Sequence, residues 1–121
     1  MNLDVVVFNY WPRGIMDVSI NGKYAGGSFG EFGPDSGTGG STVSGIPIKL
    51  GTQEIKWALS GGEHQPRLGE IIVRKAELKA LPRDHRFLAI YIYPDETVEV
   101  ATSVHYPTYS KKGEEYERDA K

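Results

Sequence analysis

Met16-Asp17-Val18-Ser19-Ile20-Asn21-Gly22-Lys23 decides the fold class of this chain. Its first five residues alternate apolar and polar, and they run directly into Asn-Gly. Period-two alternation places Met16, Val18 and Ile20 on one face of a strand, with Asp17 and Ser19 on the other. Asn21-Gly22 is the natural sequel, because a two-residue type I′ turn needs positive φ at both central positions. The stretch predicts a hairpin with one buried face.

Outward from this point the same period recurs. Ile55, Trp57 and Leu59 alternate with Glu54, Lys56 and Ala58. Val98, Val100, Thr102 and Val104 alternate with Thr97, Glu99, Ala101 and Ser103. Val5 to Tyr10 and Phe87 to Tyr93 are almost continuously apolar, so they read as central strands or as strands covered on both faces. Pro94-Asp95-Glu96 joins two strands at hairpin distance. Arg74 to Leu81 contains good helix formers, but Ile71-Ile72-Val73 precedes it, so Glu70 to Lys79 reads as one strand. About eight strands predict an all-β, single-domain antiparallel β-sandwich.

Two segments are expected outside the sheets. Gly26 to Gly45 holds Gly26, Gly27, Gly30, Gly33, Gly37, Gly39, Gly40 and Gly45 out of 15 glycines, and reads as one long Gly-rich loop. Ser110 to Lys121 is charged and reads as frayed, with room for a short helical turn. The expected organisation is a β-sandwich domain over 1–109 and a charged C-terminal tail over 110–121.

Composition bounds the function. The 121 residues are 39% hydrophobic and 25% charged, which suits one domain with its own core. A net charge of −2 argues against a nucleic-acid partner held by phosphate neutralisation. The chain has no cysteine, so disulfides, thiolate metal sites and cysteine nucleophiles are excluded. Apolar runs such as Leu88 to Tyr93 are strand-length, well short of the ~20 residues that span a bilayer. Met1-Asn2-Leu3-Asp4 does not resemble a secretory signal; the expected compartment is periplasmic if a leader has been removed and cytoplasmic otherwise.

Catalytic motifs do not assemble. Gly37-Thr38-Gly39-Gly40-Ser41-Thr42 has no lysine after its last glycine and leads into a strand, whereas a phosphate loop opens a helix. His64, His85 and His105 lack metal-ligand spacing, and no serine sits in a nucleophile elbow. The expectation is a protein that is not an enzyme, with no cofactor and no metal. Recognition signals are better. Phe29 and Phe32 lie among glycines, where aromatic side chains can serve as interface anchors. Trp11, Tyr24, Tyr106 and Tyr109 also lie near strand ends. Glu63-His64-Gln65-Pro66-Arg67 and Arg83-Asp84-His85-Arg86 mix charge signs in loops, as an interface rim does.

Phe8-Asn9-Tyr10-Trp11-Pro12-Arg13, then Val18-Ser19-Ile20-Asn21-Gly22, then Gly26-Gly27 resembles the opening of a family of small bacterial proteins. In that family an N-Y-x-x-R segment leads to a V-N-G hairpin and a double glycine. Gly39-Gly40-Ser41, Pro47 and Ile55-Lys56-Trp57 are similar to a second cluster, so the likeness covers about the first half of the chain. Many members resemble periplasmic lipoproteins. Some are encoded beside antibacterial lipase toxins of the type VI secretion system and are taken to be immunity proteins. Members often carry two adjacent cysteines where this chain has Val43-Ser44, which removes any thiol role.

The resemblance implies an immunity-type protein that binds a cognate toxin and blocks its active site or substrate entry. The expected contacts are Phe29 and Phe32 inserted into a cleft, with Glu31, Asp35, Glu63, His64, Arg67 and Asp84 as the polar rim. The alternative is a carbohydrate- or cell-envelope-binding module that uses surface aromatics.

Overall fold

A computed structural model describes residues 1–30, 32, 42–61 and 66–119. Eight strands are described: β1 (Asn2–Asn9), β2 (Ile15–Ile20), β3 (Lys23–Phe29), β4 (Thr42–Pro47), β5 (Gly51–Leu59), β6 (Ile71–Leu78), β7 (Phe87–Ile92) and β8 (Val98–Ser103). One helix, α1 (Lys111–Asp119), follows them. The strands form two four-stranded sheets, ordered β4-β1-β7-β8 and β3-β2-β5-β6. The hairpin expected at Asn21-Gly22 joins β2 to β3, with φ of 51° and 80° at its two residues.

Alternation builds the core. Leu3, Val5 and Val7 of β1 and Leu88, Ile90 and Ile92 of β7 meet Val18, Ile20, Ile55, Trp57 and Leu59 of the second sheet in one buried cluster. This layer between the sheets makes the molecule a sandwich. β1 and β7 are also covered on their other face. There Val6, Phe8, Tyr10, Ala89, Tyr91 and Tyr93 form a second cluster, with Phe32, Phe87 and Tyr116 packed against it. That double burial accounts for the near-continuous apolar character of these two segments.

Three expectations are corrected. The β1–β7 pair is parallel, with Asp4 opposite Phe87 and Asn9 opposite Ile92; the other pairs are antiparallel. β7 follows β6 of the opposite sheet, so its direction is not set by a hairpin with β1. The Gly-rich segment is shorter than expected, because β3 runs through Gly26 and Gly27 to Phe29 and β4 starts at Thr42. The Phe29 ring lies where a Cβ on Gly26 would sit, so the glycine there makes room for the strand's own aromatic.

The tail is a nine-residue helix rather than a frayed end. Ser110 caps it: its Oγ accepts from Gly113 N at 2.9 Å. Gly113 lies against Tyr10, where a Cβ would overlap the phenol. Tyr116 stacks on Tyr93 at 5.8 Å and on Tyr10 at 6.0 Å.

Candidate functional site

The parallel β1–β7 pair brings both strands' C-terminal ends to the same end of the sandwich, here the loop end. The C-terminal ends of β1, β3 and β5 and the β7–β8 turn lie there. Asn9 and Arg13, both buried, tie their roots together. Asn9 Nδ2 donates to Arg13 O at 3.1 Å and to Gly30 O at 2.9 Å, while Oδ1 accepts from Trp11 N at 3.0 Å. Arg13 Nε and Nη2 donate to Ser60 O at 3.0 and 2.8 Å, and Nη1 donates to Pro66 O. The N-Y-x-x-R residues are therefore committed to structure.

The expected contact residues separate on inspection. Phe29 is buried, 4% exposed, and is corrected from interface anchor to core residue: its ring faces the sandwich interior and Gly26. Phe32 is half-buried, with its ring edge-on to Tyr10 at 5.3 Å, so the pair cannot insert into a cleft as first read. Glu31, Asp35, Glu63 and His64 lie outside the described residues. Arg67 is exposed at the loop end. Asp84 is exposed at the opposite end, in the β6–β7 connection, so these two rim residues do not share a surface.

Arg67 organises a charged network. Its Nε donates to Glu70 Oε2 at 2.7 Å and its Nη1 to Glu96 Oε2 at 3.3 Å. Arg74 Nη2 reaches Glu96 Oε1 at 2.8 Å. Hydrogen bonds to Glu70 and Glu96 raise the Arg67 pKa further above its ordinary value. Arg67 and Glu96 both hold left-handed backbone, with φ of 60° and 66°, a conformation that costs a non-glycine residue about 1 kcal/mol. Beside this network lie three exposed apolar side chains, Leu68 (50%), Ile71 (61%) and Val73 (42%). Ile71 and Val73 point to the same face of β6, an edge strand.

The sequence reading missed this strip. Its signal was present in Ile71-Ile72-Val73, since a strand can turn only one parity inward and Ile72 takes the core position.

At the opposite end Asp84 lines a groove of about 670 Å³ with Met1, Asn2, Asp4, Arg83, His85, Arg86, Phe87 and Val104. His85 N donates to Pro82 O at 3.1 Å, which closes a turn with Arg83 and Asp84 at its centre. The exposed tyrosines, Tyr24, Tyr106 and Tyr109, are divided between β3 and the segment after β8. Among the described residues no group of three His, Asp or Glu could hold a metal ion, and no helix is long and apolar enough to cross a membrane. No protein-family model, curated protein or solved structure matches the chain.

Proposed function

We propose that this chain is a partner-binding domain of the immunity type, which occludes a cognate toxin by docking the loop end and its β6 flank onto it. The observation that carries this reading is the exposed pair Ile71 and Val73 on the outer face of edge strand β6, with Leu68 exposed in the turn before it and the Arg67, Glu70, Arg74 and Glu96 network along the same edge. Large apolar side chains left in water beside ordered polar groups are the composition of a protein interface. Hydrogen bonds among Arg67, Glu70, Arg74 and Glu96 hold those charges in place, so little side-chain order has to be acquired on binding. Arg67 keeps the rim role expected from the sequence, and Phe29 gives up its anchor role to the strip. The toxin identity, a type VI secretion lipase among the candidates, comes from the family resemblance.

The test is co-purification with the protein encoded by the adjacent gene. A stable complex is expected at micromolar concentration. Replacing Leu68 with Ser, Ile71 with Thr and Val73 with Thr together should weaken it by about a hundredfold with thermal stability retained. No complex, or a complex indifferent to the triple substitution, contradicts the reading.

A further inference from the structure

The groove at the far end differs in kind from the loop end. Among the described residues, the ion pairs are Arg67–Glu70, Arg67–Glu96, Arg74–Glu96 and Lys112–Asp95. Lys23, Lys49, Lys79, Arg83 and Arg86, all at the far end, form none among those residues. Asp4 and Asp84 share the groove with Arg83 and Arg86; Asp4 Oδ1 accepts from Gly45 N at 3.3 Å, and Glu77 near the end of β6 accepts from Thr52 Oγ1.

The backbone beneath these cations is fixed. Arg86 N donates to Ser103 O and Arg86 O accepts from Asp4 N, both at 2.9 Å, so Arg86 bridges the approaches to β1 and β8. Arg83 sits in the closed turn described above. The His85 ring is held by Thr102 Oγ1 at 2.7 Å from Nδ1. Half-buried Phe87 and exposed Val104 give the groove its apolar surface, and Tyr106 packs edge-on to Phe87 at 5.6 Å.

We propose that this groove docks an acidic segment of a protein partner, seating an apolar side chain on Phe87 and Val104 while flanking carboxylates reach Arg83 and Arg86. Paired N–H donors on a guanidinium match a carboxylate, and an Arg with no internal partner gains the most from one. The apolar seat of Phe87 and Val104 beside Arg83 and Arg86 argues for a peptide, which carries an apolar side chain next to its carboxylates, over a phosphate backbone. A volume of about 670 Å³ suits several side chains rather than a single small anion. Lys23 and Lys49 line a second, smaller hollow at this end and extend the positive field that steers such a segment inward.

The test uses acetyl-Glu-Glu-Leu-Glu-Glu-amide as probe, with the amide signals of the full chain followed by NMR. Shifts are expected at residues 83–87 and 102–106, weakening at about 0.3 M salt. Arg83→Gln with Arg86→Gln should lower affinity by about tenfold or more while the melting temperature holds, and the Gln-for-Glu peptide should bind no better than that variant does. Four results would overturn the proposal: shifts elsewhere or none, equal binding by the double variant, equal perturbation by inorganic phosphate, or tighter binding of single-stranded DNA through the same residues.

Discussion

The two ends of the sandwich use their cations in opposite ways. At the loop end Arg13 is buried and spends its donors on Ser60 O and Pro66 O, and Arg67, Arg74 and Lys112 each face a carboxylate. At the far end Arg83 and Arg86 hang from a pinned backbone and meet no carboxylate within ion-pair distance among the described residues. One end is held together by its charges. The other holds its charges ready. The same residue type is structural where backbone carbonyls converge on it and available where only a turn supports it.

The largest effect that separates the ends is on stability. Arg13→Ala removes donors from two carbonyls at a buried position and should cost about 3 kcal/mol in chemical denaturation. The Arg83→Gln, Arg86→Gln double variant should stay within about 0.5 kcal/mol of the parent. A comparable loss in both would dissolve the distinction. Gly113→Ala comes next. Its Cβ overlaps the Tyr10 phenol, so α1 should lift from the sheet at a cost of about 2 kcal/mol, read as faster amide exchange over 111–119.

Arg67→Gly sharpens the functional half of the contrast. Relief of the left-handed strain offsets the lost ion pairs and the freer unfolded chain, so stability should move by less than about 1 kcal/mol. Affinity for the adjacent-gene product should nevertheless fall.

The smallest effects come from titration. Tyr91, Tyr93 and Tyr116 are all raised above the ordinary value of 10.0, through burial first and then, for Tyr93, its hydrogen bond to Glu99. Both folded and unfolded chains keep these phenols neutral below that value. Stability should therefore fall as pH climbs above 10, where the unfolded phenols ionise first. Phenolate absorbance should show three tyrosines ionising late. Burial tends to raise Asp95, but hydrogen bonds from Lys112 and Thr97 outweigh it and hold the carboxyl below its ordinary 3.8. Its contribution is present above 3.8 and lost as pH falls through the lower folded value, so α1 should begin to loosen only in that acid range.

Much of the fold was legible because period-two patterning is a local property. Ile20-Asn21-Gly22, Ile55-Lys56-Trp57 and the β6 reading over 70–79 needed only side-chain parity and turn chemistry. The parallel β1–β7 pairing depends on contacts between distant segments, which alternation does not encode. Helix α1 was hidden because its docking rests on Gly113 and Tyr116 meeting an aromatic face built from β1 and β7. The site was less legible. Phe29 looked free among glycines, yet Gly26 is the space its ring fills. Arg67 and Asp84 looked alike as loop charges, and the topology sends them to opposite ends.

Amide hydrogen exchange of the complex with the adjacent-gene product tests the central claim most directly. Exchange should slow across residues 67–74, where Leu68, Ile71 and Val73 would be covered and the Arg67–Glu96 network locked. A stable complex in which residues 67–74 exchange as fast as in the free protein would contradict it.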